Sequence, residues 1–155
     1  MSTNTQPTLL CYDGSASAKR AIAVAAATLG SGRFVVLNVW NEPLEALPDS
    51  YSDRVRSHGT PVATLEHLAV ERATEIVDEG QELASSLGLE TETHLEPAHA
   101  GIGQGIVHAA ERLDAKLIVL GTHGRTAAER ELLGSVSAVV LASSRRPVLV
   151  VPRAE

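Results

Sequence analysis

One cysteine, one phenylalanine, one tryptophan and two tyrosines are all the thiol and aromatic side chains that this 155-residue chain carries. A lone Cys11 excludes an internal disulfide and any zinc centre built on several thiolates. It falls in an apolar stretch, where an inert buried thiol is expected. So few aromatics leave no stacking platform for single-stranded nucleic acid. Of the 13 basic residues only Lys19 and Lys116 are lysines, and the formal net charge is -6 with an isoelectric point near 5.5. That balance repels phosphate backbones and anionic membrane surfaces at long range, so neither nucleic acid nor membrane is an expected partner. No apolar run reaches membrane-spanning length, and Met1 to Pro7 has neither the basic patch nor the apolar core of a secretory leader. A soluble, cytoplasmic protein is the expectation. His58, His67, His94, His99 and His108 share no metal-ligand spacing and are expected in surface or structural roles. The hydrophobic content, 44%, is therefore almost wholly aliphatic and alanine, enough for the core of one domain over residues 1–155.

What is present concentrates between Lys116 and Ser137. Lys116 to Leu120 reads as a buried strand, so Gly121 and Gly124 fall at its C-terminal end, where open α/β sheets bind ligands. Glycines there let backbone N–H groups approach a phosphate without an intervening Cβ. Gly134-Ser135 then opens a helix. Ser135 suits its N-cap, and Val136 and Ser137 offer N–H groups at the positive end of the dipole. The hydroxyls of Ser135 and Ser137 add donors without bulk. The competing reading has these glycines making turns and Ser135 capping a helix; the combination of both halves favours a phosphate site. His123 and Arg125, inside the glycine loop, could lean toward phosphate or ribose, with Arg125 the better charge partner.

At these residues the chain resembles the universal stress protein family, in its ATP-binding branch. The family signature of Gly, two residues, Gly, nine residues, Gly and Ser or Thr is met by Gly121, Gly124, Gly134 and Ser135. The likeness continues through Gly121-Thr-His-Gly-Arg125, Gly134-Ser-Val-Ser137 and Pro147-Val-Leu-Val-Val151, and Asp13-Gly14-Ser15 fits near the N-terminus. The resemblance implies that Asp13 lies against the adenosine moiety and assists Mg2+ placement indirectly; the competing reading is a local cap on the Gly14-Ser15 turn, and its place at the switch point favours the functional one. It also implies that the Val39 backbone reads the adenine edge, whereas by pattern alone Val39 is a core valine. The family often has His just before this position, and this chain has Asn38.

Periodicity predicts a strand at Thr8 to Tyr12, a helix capped by Ser15, a strand at Phe34 to Trp40 and a long loop from Asn41 to Gly59. A helix then starts at Thr60-Pro61, with Leu65, Leu68, Ala69, Ile76, Leu83 and Leu87 on one stripe. Gly88 ends it, Leu89 to Leu95 follows as an edge strand, and Ile102 to Leu113 makes a third helix. The Lys116 strand, a helix from about Ser135 to Ser144 and a strand from Pro147 to Val151 complete five strands alternating with four helices. Such alternation implies a parallel sheet covered on both faces. The resemblance adds a single-domain, Rossmann-like three-layer α/β sandwich with strand order 3-2-1-4-5.

The family likeness implies an ATP-binding protein, with Mg2+, acting as a nucleotide-dependent switch in stress response. It also implies a homodimer through the strand Pro147 to Val151, which would remove an open sheet edge. An enzyme is the second reading, a very slow ATP hydrolase or autophosphorylating protein. It lacks a placed general base and a Walker loop, so no catalytic residue is assigned. A nucleotide-independent, chaperone-like interaction module is the third, and the intact glycine signature argues against it.

Overall fold

The structure, a computed structural model, describes residues 5–43, 62–122 and 133–154. In chain order the elements are β1 (Thr8–Cys11), α1 (Ala16–Thr28), β2 (Phe34–Asn41), α2 (Val62–Ser86), β3 (Thr91–Ala98), α3 (Ile102–Arg112), β4 (Leu117–Gly121), α4 (Ser135–Ser143) and β5 (Val148–Val151). The five strands form one parallel sheet in the order β3-β2-β1-β4-β5. This is the order and class expected, with four helices among the described residues. No helix there is long and apolar enough to cross a membrane.

Near-continuous apolar runs in the central strands follow from burial on both faces. Leu10, Tyr12 and Val36 point into one core with Ile22 of α1 and Val77 of α2. Leu9, Leu37 and Ile118 point into the other with Ile106 of α3 and Val140 of α4. Adjacent residues such as Leu9 and Leu10 serve opposite layers because side chains alternate along a strand. All strands run the same way, so the chain enters the central strand β1 from the rim formed by the strand starts and leaves β5 on the opposite rim, formed by the strand ends.

Local signals set the helix ends. Ser15 caps α1, its Oγ accepting from Ala18 N–H at 3.1 Å. Gly88, with φ of +87°, closes α2: Leu89 N–H reaches the Ala84 carbonyl at 3.0 Å and Gly88 N–H the Ser85 carbonyl at 3.0 Å, the paired bonds of a Schellman turn. Because Leu89 completes that turn, β3 begins only at Thr91 and runs on through Pro97, two features that a Leu89 to Leu95 strand misplaces. Proline is tolerated there because β3 is an edge.

The expected α2 stripe also shifts. Ala73, Val77, Gly80 and Ala84 are its buried row, while Leu68 is 54% and Leu87 42% exposed. Small residues win the centre because the helix lies close to the sheet: a Cβ on Gly80 would come within 2.7 Å of the Tyr12 ring and 2.9 Å of Val36. Ile76 and Leu83 flank that row and cover its sides. Thr60, Pro61 and the part of the Asn41 to Gly59 loop beyond residue 43 lie outside the described residues.

Candidate functional site

Sheet order puts β1 beside β4, so the turns that leave their C-terminal ends toward opposite faces flank one crevice. After β1 the chain passes through Tyr12 into Asp13-Gly14-Ser15. Gly14 takes φ of +83°, a left-handed conformation that glycine adopts without strain. Asp13 is half-buried, and one of its carboxylate oxygens accepts from Ser15 N–H at 2.9 Å. That is the local turn role weighed for Asp13; its second oxygen makes no hydrogen bond among the described residues. Beside it, Asn38 Nδ2 donates to the Tyr12 carbonyl at 2.9 Å and ties the end of β2 to the end of β1. The Val39 side chain turns to the other layer, where it meets α3: a Cβ on Gly105 would lie 2.5 Å from Val39 Cγ1. The Gly101-Ile-Gly-Gln-Gly105 run thus serves helix entry and close packing.

At the end of β4, Gly121 is required by the fold itself. A Cβ there would collide with the Oγ of Ser17 and come within 2.8 Å of its backbone carbonyl carbon and oxygen. Thr122 then holds three strands of chain together. Its N–H donates to the Val151 carbonyl at 3.1 Å, and its carbonyl accepts from Gly134 N–H at 2.6 Å and Ser137 Oγ at 3.1 Å. Those bonds bring the start of α4 directly beside the end of β4. The N-cap of α4 is Gly134, not Ser135, with φ of -69° and ψ of 163°. Its carbonyl accepts the first intrahelical bond, from Ala138 N–H at 3.0 Å. Ser135, Val136 and Ser137 are therefore the first three helical residues, and the helix supplies no carbonyl for their N–H groups. Ser135 is exposed, Val136 half-buried and Ser137 buried. The Ser137 hydroxyl turns inward, within hydrogen-bond distance of the Thr122 and Gly134 carbonyls, so its side chain is engaged in holding α4 to β4. His123, Gly124 and Arg125 lie outside the described residues.

Electrostatics in the crevice are set by burial more than by charge. Burial, with the Asp13 carboxylate adding to it, pushes the Cys11 thiol up to about 12, which makes it inert as expected. Burial also raises the Tyr12 phenol, helped by its hydrogen bond to Glu79, an exposed residue of α2. No group of three or more His, Cys, Asp or Glu arranged to hold a metal occurs among the described residues.

By sequence Asn38 is only a departure from the family pattern, and its tie to Tyr12 depends on a strand register that sequence does not display. Glu96 is a further buried polar residue that the sequence pattern does not reveal. Its side chain is almost fully buried at the end of β3, with Arg112 Nη1 at 3.0 and 3.2 Å from its two oxygens and His94 Nε2 at 2.9 Å. A glutamate in an alternating strand reads as solvent-facing; the available signal was basic His108 and Arg112 at i, i+4 spacing on the following helix. The group pins α3 to β3.

Comparison with known proteins agrees with this architecture. The family profile described as "Universal stress protein family" matches residues 4–152. Universal stress protein MJ0531 of Methanocaldococcus jannaschii is 36% identical over 89 residues, 57% of this chain and 51% of that protein. MJ0577 of the same organism is 46% identical over 48 residues, 31% of this chain and 30% of that protein. The matched region thus spans about half, or less, of the length of these curated relatives. The solved structure of MJ0577 has 26% identity and a TM-score of 0.75, covering 97% of this chain and 98% of the other. A universal stress protein from Archaeoglobus fulgidus, solved in complex with dAMP, has 22% identity and a TM-score of 0.65 with 94% and 96% covered. With the signature glycines, the strand order and a family match over nearly its whole length, the chain belongs to the universal stress protein family.

Proposed function

We propose that this protein binds an adenosine nucleotide, ATP with Mg2+, in the crevice between the ends of β1 and β4 and acts as a nucleotide-dependent switch in the cytoplasmic stress response. The observation that carries the reading is the start of α4. Three successive amides, those of Ser135, Val136 and Ser137, stand without helical partners behind a side-chain-free cap, held against β4 by the Thr122 carbonyl. Such an arrangement suits anionic oxygens, since donors and dipole converge and Gly134 adds no bulk. Gly121, Gly124, His123 and Arg125 complete the phosphate side of the proposal. Asp13 and Val39 form its base and ribose side, with Asp13 able to hold the waters of a magnesium ion. Bound nucleotide supplies the anionic charge; the chain's own residues bind and orient it. The relative that binds dAMP supports the adenosine class.

A homodimer belongs to the same proposal. β5 is an edge of the sheet, with Val148, Leu149 and Val150 only half-buried, and neighbouring α4 exposes Val139 by 37% and Leu141 by 44%. Pairing of two such edges would cover both.

Calorimetric titration of ATP, AMP and GTP tests the site, using wild type and Gly134→Asp. Aspartate is a favourable N-cap, so the variant keeps its fold while placing a negative charge where phosphate should lie. Expected is saturable, adenine-selective binding that weakens at least about tenfold in the variant, a change of about 1.4 kcal/mol. Undiminished binding by the variant would remove the α4 start from the site, and no binding by nucleotide-free wild type would reject the reading.

A further inference from the structure

The register of β1 against β2 ends with Cys11 opposite Leu37, and the last backbone rung runs from Tyr12 N–H to the Leu37 carbonyl at 2.8 Å. Along a parallel strand a residue's N–H and C=O point to the same neighbour, and successive residues alternate between neighbours. Leu37 faces β1, so Asn38 faces β3 and Val39 faces β1 again. The next rung would therefore run from Val39 N–H to the Tyr12 carbonyl. No such bond is made among the described residues. The Tyr12 carbonyl instead accepts from Asn38 Nδ2 at 2.9 Å, from a side chain on a residue only 5% exposed. A buried carboxamide has thus taken the acceptor that continued strand pairing would give to Val39, at the point where β1 turns away through Gly14.

We propose that Asn38 is a positioning and selectivity residue for base recognition. By holding the Tyr12 carbonyl, it keeps the N–H and C=O of Val39 turned to the crevice with no rung to β1. A donor beside an acceptor matches the ring nitrogen and amino group of adenine. The same pair meets like with like on guanine, whose corresponding edge presents a ring N–H and a carbonyl. The acceptor nature of the Tyr12 carbonyl fixes the amide orientation of Asn38, since only its NH2 can donate there. The inference rests on the nucleotide reading above and adds to it the residue that keeps the base-reading backbone open.

Replacing Asn38 by alanine frees the Tyr12 carbonyl to pair with Val39 N–H. In the nucleotide-free protein, amide hydrogen exchange at Val39 is expected to slow at least about tenfold in Asn38→Ala. ATP affinity should fall about tenfold and the preference for ATP over GTP should shrink, while binding of inorganic tripolyphosphate stays unchanged. Asn38→His, which retains a ring N–H donor, should restore both readings, and Asn38→Asp, which cannot donate when ionised, should not. Thermal unfolding reports whether each variant is folded; if Asn38→Ala is not, the His and Asp variants give the same contrast. A Val39 amide already protected in free wild type overturns the proposal. So does a folded Asn38→Ala whose ATP affinity and base preference match wild type. Failure of wild type to bind ATP is a separate result that removes the nucleotide reading, and the exchange measurement on free protein still decides whether Asn38 holds Val39 open.

Discussion

A methyl group at Gly121 has nowhere to go. It would meet the backbone of Ser17, which a further side-chain truncation cannot clear. Gly121→Ala is therefore expected to lose about 1–3 kcal/mol of stability without any ligand, measured by urea unfolding. Gly14 presents the opposite case, with open space around it but φ of +83°. Gly14→Ala should cost about 1 kcal/mol through backbone strain alone. A ligand-binding glycine and a packing glycine are indistinguishable in a string of letters, and Gly121 carries a packing role whatever it binds. Cys11 yields a residue-scale expectation of another kind. With its thiol pushed up to about 12, it should resist a disulfide reagent near neutral pH until the protein unfolds, so labelling and unfolding rates should coincide.

Helix α2 shows what periodicity can and cannot place. Val77→Ala, in the buried row, should cost about 2 kcal/mol, whereas Leu68→Gln on the exposed side should stay within about 0.5 kcal/mol of wild type by the same unfolding assay. The helix itself was legible from its 3.6-residue pattern, as were all five strands and the Ser15 cap. Its contact face was not, because leucines mark a stripe in sequence while Gly80 and the alanines set how closely the helix approaches Tyr12 and Val36. The same limit applies to the site. The Gly134-Ser135 helix start could be read from spacing. That Ser137 turns its hydroxyl to Thr122, or that Asn38 captures the Tyr12 carbonyl, requires partners 15 and 26 positions away. The capping residue moved by one because Gly134 is already extended and hands its carbonyl to Ala138.

At the rim opposite the crevice, charge ties together parts of the chain that lie far apart in sequence. Arg146 reaches Asp114 at 2.7 Å and Glu111 at 3.2 Å, joining the turn before β5 to the turn after α3, and Gln6 reaches Asp114 at 2.9 Å. Hydrogen bonds from Gln6 and Arg146 hold the Asp114 carboxyl below its ordinary 3.8. The folded form thus releases this proton more readily than the unfolded form. Its stabilisation is complete above the ordinary value and is lost as pH falls through the folded one. Both side chains reach solvent, which screens the pair, so the effect is small. The stability gap between wild type and Arg146→Met, read from denaturant midpoints, should be larger at about pH 7 than at about pH 2.5. Assembly of the proposed dimer depends on the other open feature of that flank. In β5 the carbonyls of Pro147 and Val151 bond toward β4, so Val148 and Val150 turn their N–H groups outward. Val150→Pro should leave the sheet formed and give a monomer by light scattering across concentrations.

Because every strand runs the same way, the chain emerges from β5 on the rim that holds the crevice, where Arg20 grips the Pro152 carbonyl at 3.0 Å, while residue 7 lies on the far rim. An affinity handle or reporter fused after residue 154 would hang beside the proposed nucleotide crevice and close to the proposed pairing edge. One fused ahead of residue 5 would trail from the side with neither. Purification and tethering schemes therefore have a built-in polarity, and an N-terminal fusion is the one that leaves both proposed recognition events unobstructed.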